Sequence, residues 1–295
     1  MVSEFSKKRL ISGLWAGFFG LCVVGLGKWC FAIAVGAIVH LALLEFFRMA
    51  KFKGIRPATK TTLFSCQILL ISTQLSANGI LPEDIASAVL PLSGAAICGW
   101  LLFQPVTGSI SDIAASIFGF FYLGFLPSHW LRLMNLSDLE FTPGLAHLPD
   151  ALANFISPGM LITLAACLMI VASDIGSYFF GRSFGRHSLS PISPSKTVEG
   201  AIGGLLCTML VGVISGEIFG WNSGWLVGGL LGSLVALFAI VGDLTESMMK
   251  RDAGLKDSGD ALPGHGGILD RIDSYLFTPA VVYYAVIFLI PLVKN

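Results

Sequence analysis

DLTESMMKRDAGLKDSGDALPGHGGILDRIDS, residues 243 to 274, is a charged island in an otherwise apolar chain. It sets Asp243, Glu246, Asp252, Asp257, Asp260, Asp270 and Asp273 beside Lys250, Arg251, Lys256 and Arg271, around a Pro-Gly-His-Gly-Gly turn. The chain has 18 acidic residues in all, so this stretch holds far more than its share. On both sides the sequence turns to oil. Residues 223–243 lead in and 275–293 lead out, each near the ~20 residues an α-helix needs to cross a bilayer. Asp243 and Asp273 thus lie against apolar spans, where an ionised side chain is costly and therefore a candidate for function.

Moving outward, the whole chain is 55% hydrophobic and 12% charged, with a mean hydropathy of +0.81; soluble domains carry about 25% charged residues. Seven more apolar runs, at 10–27, 29–47, 61–78, 85–103, 109–127, 156–180 and 201–220, complete a count of nine. The expected fold is an all-α polytopic integral membrane protein with about nine transmembrane helices. Residues 1–155 are expected to form a five-helix scaffold with an external loop, and residues 156–295 a four-helix catalytic part. Lys7, Lys8 and Arg9 precede the first run without a small-residue cleavage site, so that run reads as a retained helix. Close-set glycines such as Gly200, Gly203, Gly204, Gly228, Gly229 and Gly232 permit near approach of helices. Cys22, Cys30, Cys66, Cys98, Cys167 and Cys207 lie in or beside apolar runs without metal-ligand spacing, and read as packing residues. A net charge of zero offers nothing for nucleic acid.

Orientation follows from the basic residues, which concentrate in short cytoplasmic loops. A cytoplasmic N-terminus puts 15 of the 18 inside, leaving Lys28, Arg132 and Lys294 outside. The expected location is a multi-pass protein of a bacterial-type inner or plasma membrane, its polar cavity facing the cytoplasm. The 48–60 loop, RMAKFKGIRPATK, either attracts anionic headgroups or serves topology alone. The 128–155 loop, with His129, Asp138, Glu140, His147 and Asp150, is expected to be an external connection.

Two polar segments then share the cytoplasmic side. In the first, Asp174 ends an apolar run, with Ser177 on the same helical face. Ser193, Ser195, Lys196, Thr197 and Glu199 follow, leading into a glycine-punctuated helix start that suits an anion. The spacing is not that of a Walker A loop. In the second, Asp243, Glu246, Ser247 and Lys250 recur at helical spacing, and Asp270 and Asp273 point the same way from the next helix. Oxygen ligands without cysteine suit Mg²⁺, which is commonly held by one or two carboxylates plus substrate phosphates. Candidate metal ligands are Asp243, Asp270 and Asp273, then Asp174 and Asp257. Lys196, Lys250, Arg251, Lys256 and Arg271 would meet phosphate charge, and Gly264, Gly266 and Gly267 would let backbone amides approach it. His265 is open between turn residue, acid/base and phosphate donor.

Ser247 to Arg251, Lys256-Asp257 and the run Pro263 to Asp273 resemble the full signature of phosphatidate cytidylyltransferases, also called CDP-diacylglycerol synthases. Ser193 to Gly200, together with Asp174, Tyr178 and Gly181, is similar to the other shared segment of that family. The resemblance implies transfer of CMP from CTP to phosphatidic acid, giving CDP-diacylglycerol and pyrophosphate with Mg²⁺, in a protein surrounded by membrane lipids. It implies catalytic roles for Asp243, Asp270, Asp273, Lys250, Arg271 and His265. Nucleotide contacts would come from Ser193, Ser195, Lys196, Thr197, Glu199, Arg251, Lys256, Gly264, Gly266 and Gly267. Oligomeric state is open, a homodimer among the options. A CTP-dependent prenol kinase would lack the full signature. A transporter would scatter its polar residues through broken helices, and a CDP-alcohol phosphotransferase would carry a D-G-x-x-A-R run that is absent.

Overall fold

The computed structural model describes residues 20–82, 84–137, 141–145, 156–259 and 266–294. Eight long helices follow one another: α1 Lys28–Phe52, α2 Thr59–Ala77, α3 Ile85–Leu102, α4 Ile110–Met134, α5 Pro158–Phe184, α6 Val198–Phe219, α7 Gly224–Asp252 and α8 Leu269–Val293. All except α2 are long and apolar enough to cross a membrane, so seven of the nine expected spans are matched. The run at 10–27 falls mostly outside the described residues; its end, 20–25, is helical and reaches α1 through Gly27, whose φ of 106° lies in the left-handed region open to glycine. The run at 61–78 does become a helix, but one too rich in Thr, Ser and Gln to qualify by composition. Its polar side chains Thr62, Ser65, Ser72, Thr73 and Gln74 are buried among the other helices.

Three further differences from expectation have local causes. The fifth run extends through Met134 and does not end at 127. A π-helical turn at Phe121–Phe125 carries the ladder past Pro127, which has no N–H to contribute. His129 is therefore a buried helix residue, its Nε2 3.4 Å from Tyr284 Oη, and not part of an external loop. Asp138, Glu140, His147 and Asp150 lie outside the described residues. Finally, the described residues include an antiparallel hairpin, β1 Ser188–Ser190 with β2 Ser193–Thr197, between α5 and α6.

Contacts between distant segments define two ends of the bundle. At one end Lys53 Nζ meets Asp252 Oδ1 at 3.1 Å. There the Arg56 N–H also donates to Asp112 Oδ1 at 2.6 Å, beside the Ser109 capping box that starts α4. At the other end the Gly159 N–H donates to the Leu136 carbonyl at 2.9 Å, Trp221 Nε1 to the Phe141 carbonyl at 2.7 Å, and Asn222 Nδ2 to the Val293 carbonyl at 2.9 Å. The basic 48–60 segment, the hairpin and residues 253–259 and 266–268 all belong to the first end. Helix α2 runs between the two, its start hydrogen-bonded to α4 through Ala58 N–H and Ser116 Oγ (2.9 Å), its far part through Asn135 Nδ2 and Gln74 Oε1 (3.1 Å). At ~1.5 Å per residue its 19 residues cover about 28 Å, close to the bilayer's hydrocarbon thickness.

Helix α6 packs most closely against α5 on one side and α7 on the other, and small residues are the reason. A methyl group at Gly176 or Gly204 would strike the facing helix of the α5/α6 pair, and one at Gly212, Gly216, Gly228 or Gly232 would strike backbone across the α6/α7 contact. In lipid, where apolar surface gains little by pairing with apolar surface, such backbone approach supplies the dispersion contact that holds helices together. Gly242 repeats the device between α7 and α8, because a methyl group there would run into the Asp273 carbonyl. That contact brings the neighbouring Asp243 against the start of the last helix.

Candidate functional site

The close-packed helices leave a cavity of about 210 Å³ near the first end of the bundle. Asp174, Ser177 and Tyr178 enter it from α5, Lys196 and Thr197 from β2, Asp243 from α7 and Ser274 from α8. The two polar segments read from the sequence thus share one wall-to-wall site. Asp174 and Ser177 line it together, as their three-residue spacing on a helix requires. The hairpin folds Lys196 inward onto Asp243, with which it forms an ion pair. Burial holds the Lys196 ammonium below the ordinary lysine range, opposed by the nearby carboxylates of Asp273, Asp174 and Glu246.

Thr197 also caps α6, its Oγ1 accepting from the Gly200 N–H at 3.1 Å. Glu199 turns away from the cavity. Its carboxylate accepts from the Arg186 and His187 N–H groups at 3.0 and 3.2 Å and sits 2.6 Å from His187 Nδ1, bracing the hairpin from outside. Ser193 and Ser195 lie on β2 but do not line the cavity.

About two helical turns beyond Asp243, a second cluster forms around Lys250. Its Nζ lies 2.6 Å from Asp270 Oδ1 and 2.5 Å from Glu246 Oε2. The Glu246 contact is an ion pair without hydrogen-bond alignment, and the other charged group beside Glu246 is the like-charged carboxylate of Asp270. Asp270 is better served: its Oδ2 accepts from Gly267 N–H at 2.7 Å and from the Ser258 N–H and hydroxyl, both at 2.9 Å. Asp273 belongs to a different set of partners, its Oδ1 accepting from the Ser274 N–H at 2.7 Å. The two carboxylates expected to point the same way accept from different donors, Asp270 from residues 258 and 267 and Asp273 from Ser274, although both lie near Lys250.

The Gly-Gly turn also differs from expectation. The Gly267 amide is directed at Asp270 and not at open space. Gly266 adopts φ 80°, and a side chain at Gly267 would collide with the Ser258 hydroxyl and the carboxylate of Glu45. These glycines let the chain wrap two carboxylates. Arg251, Lys256, Asp257 and Arg271 are exposed and do not line the cavity. Gly264 and His265 fall outside the described residues.

Glu45, Ser258 and Ser274 were not singled out from the sequence. A lone carboxylate inside the apolar run 29–47 was the available signal for Glu45; nothing in the 258 or 274 neighbourhoods distinguishes those serines from ordinary loop hydroxyls.

Among the described residues no three His, Cys, Asp or Glu side chains gather into a metal cluster. The donors that do face the cavity are carboxylate and hydroxyl oxygens, a set suited to a hard divalent cation whose remaining ligands come from substrate phosphates. Each inward lysine already rests on a carboxylate, Lys196 on Asp243 and Lys250 on Glu246 and Asp270. Such a site can accept a phosphate-bound cation by exchanging partners, the carboxylates turning to the metal and the ammonium groups to phosphate oxygens.

Residues 7–289 match the Cytidylyltransferase family. Among curated proteins the chain is 44% identical to the phosphatidate cytidylyltransferase of Synechocystis sp. over 297 residues, covering 98% of this chain and 99% of the relative. It is 33% identical to phosphatidate cytidylyltransferase 4, chloroplastic, of Arabidopsis thaliana, over 94% of this chain and 72% of the relative. With the phosphatidate cytidylyltransferase of Bacillus subtilis it shares 30% identity over 94% of this chain and 96% of the relative.

Proposed function

This chain belongs to the cytidylyltransferase family, and from that premise we propose that it is a CTP:phosphatidate cytidylyltransferase, forming CDP-diacylglycerol and pyrophosphate for phospholipid synthesis. The observation that carries the site assignment is the meeting of Asp174, Lys196 and Asp243 in one cavity, supplied by segments about seventy residues apart.

In the reaction, a phosphate oxygen of phosphatidate bonds to the α-phosphorus of CTP. The bond from that phosphorus to the bridging oxygen of pyrophosphate breaks, and pyrophosphate leaves with the electron pair. Mg²⁺, when bound, would neutralise triphosphate charge, with Asp243 and Asp174 as holders beside Asp273. The protein's own share is positioning and electrostatics. Lys196 reaches phosphate from the hairpin, and Lys250 does so from the deeper cluster. Thr197 and Gly200 shape the wall on the nucleotide side, and Asp270 fixes the Lys250 ammonium. The narrow α5/α6/α7 packing keeps these groups from moving apart as charge shifts.

The site end of the bundle faces the cytoplasm in this reading, where CTP is found. Support comes from charge: the described basic residues crowd that end, and Lys28, Arg132 and Lys294 lie towards the other. Helix α2, though polar, counts as a crossing because both of its ends pair with neighbours at opposite ends. With the run at 10–27, nine crossings result.

The test is conversion of radiolabelled CTP and phosphatidate by the chain purified in detergent, with Mg²⁺ present or chelated, beside the Asp243→Asn variant. CDP-diacylglycerol should form only with Mg²⁺ and should fall at least about a hundredfold in the variant. Labelling of a polyprenol in place of phosphatidate, or full activity in Asp243→Asn, would overturn the assignment.

A further inference from the structure

Glu45 is a carboxylate in the middle of an apolar helix of the N-terminal half, and it is 9% exposed. Among the described residues, hydrogen-bond donors hold it there. Its Oε1 accepts from the Ile268 N–H at 2.9 Å, while its Oε2 accepts from the Leu269 N–H at 2.9 Å and lies 3.1 Å from the Ser258 hydroxyl. The two amides are the unsatisfied donors at the start of α8, so Glu45 caps the last helix from a residue 223 positions away. The chain makes room for it with two glycines, since a side chain at Gly259 or Gly267 would run into this carboxylate.

The same few atoms hold Asp270. Ser258 lies between the two acids, its hydroxyl 3.1 Å from Glu45 Oε2 and 2.9 Å from Asp270 Oδ2, and with one proton to donate it is shared between them. Gly267 and Leu269 are linked in the same way: Gly267 N–H is held by Asp270, Leu269 N–H by Glu45. Asp270 in turn fixes Lys250. Resting on the activity proposed above, we infer that Glu45 is a positioning residue for that reaction, setting the Ser258 and Gly267–Leu269 backbone so that Asp270 presents Lys250 to phosphate. It touches neither substrate nor reacting atoms.

A Glu45→Gln variant keeps the shape but can place an amide donor against the backbone donors it should accept from. Small misplacements of catalytic groups cost up to about a hundredfold in rate. The expected result is a fall in kcat of about tenfold or more, with KM for phosphatidate within about twofold and faster hydrogen exchange confined to amides 267–270. Ser258→Ala, which removes the shared hydroxyl and leaves the cap, should shift kcat in the same direction by less. Wild-type kcat with KM unchanged in Glu45→Gln, or a loss explained by a lower folded fraction with exchange raised throughout, would overturn the inference. If Glu45→Gln does not fold, Ser258→Ala decides: unchanged kcat there overturns it, and a lowered kcat with intact exchange elsewhere supports it. Wild-type protein inactive on CTP and phosphatidate would instead remove the reading beneath, and local exchange at 267–270 would still report whether Glu45 holds the turn.

Discussion

Lys250→Met offers a test of how the inner cluster is balanced. The Lys250 side chain is 14% exposed and that of Glu246 1%. Methionine keeps most of the stem's packing and deletes the charge. Asp270 survives the change well, because three donors remain on its Oδ2. Glu246 does not, since Lys250 is the cation it pairs with and the Asp270 carboxylate left beside it carries the same charge. Removing one partner of a buried ion pair costs about 3–5 kcal/mol, most of it the penalty of the charge left behind. Adding Glu246→Gln replaces that penalty with the ~1–3 kcal/mol of a buried neutral group short of partners, so about 2 kcal/mol should return in the double variant. The two measurements needed are reversible unfolding in mixed micelles, followed by far-UV circular dichroism, and cytidylyl transfer at saturating substrate. Stability should recover in the double variant while activity does not, because the ammonium that meets phosphate is still missing. A single variant destabilised by less than about 1 kcal/mol, or a double variant no more stable than the single one, would refute the reasoning.

Three further outcomes follow from the same geometry. Burial favours the uncharged form of Lys196 in the folded protein, so on raising the pH it loses its proton before an ordinary lysine does at 10.5. The alkaline fall in activity should therefore begin below that value, and Lys196→Arg should carry the fall to higher pH, as a pH–rate profile would show. Gly242→Ala should push α7 from the Asp273 carbonyl, at a cost of about 1–3 kcal/mol and a sharp loss of activity. Gly229→Ala meets only an ordinary contact with Val213 and should lose neither activity nor more than about 0.5 kcal/mol. Lys53→Ala breaks an ion pair whose side chains are 44% and 68% exposed; thermal unfolding should move by under about 1 kcal/mol, with turnover unchanged.

Much of this protein is legible along the chain. Apolar runs of bilayer length set where the helices are, since a backbone in lipid must bond to itself, and seven runs became helices apolar enough to cross. Charge clustered between two such runs marked Asp243 to Asp273, and three-residue spacing put Asp174 and Ser177 on one face. Local pattern placed a helix at α2 but could not show that its Thr, Ser and Gln face the bundle. It also failed after residue 127, where the apolar run was expected to end and a π-helical turn carries the helix past Pro127.

Which carboxylate meets which cation was decided only in three dimensions. Asp270 and Asp273 have the same spacing as Asp174 and Ser177, yet the folded chain gives them different hydrogen-bond donors. Gly266 and Gly267, which read as a phosphate cradle, instead wrap Asp270 and Glu45. Glu45 could not be assigned from its neighbours in sequence, because its donors come from Ser258, Ile268 and Leu269. Helical period and hydropathy are properties of a window of about twenty residues. Hydrogen bonds to buried carboxylates depend instead on how distant backbones are brought together, and here glycine packing between α5, α6, α7 and α8 does that.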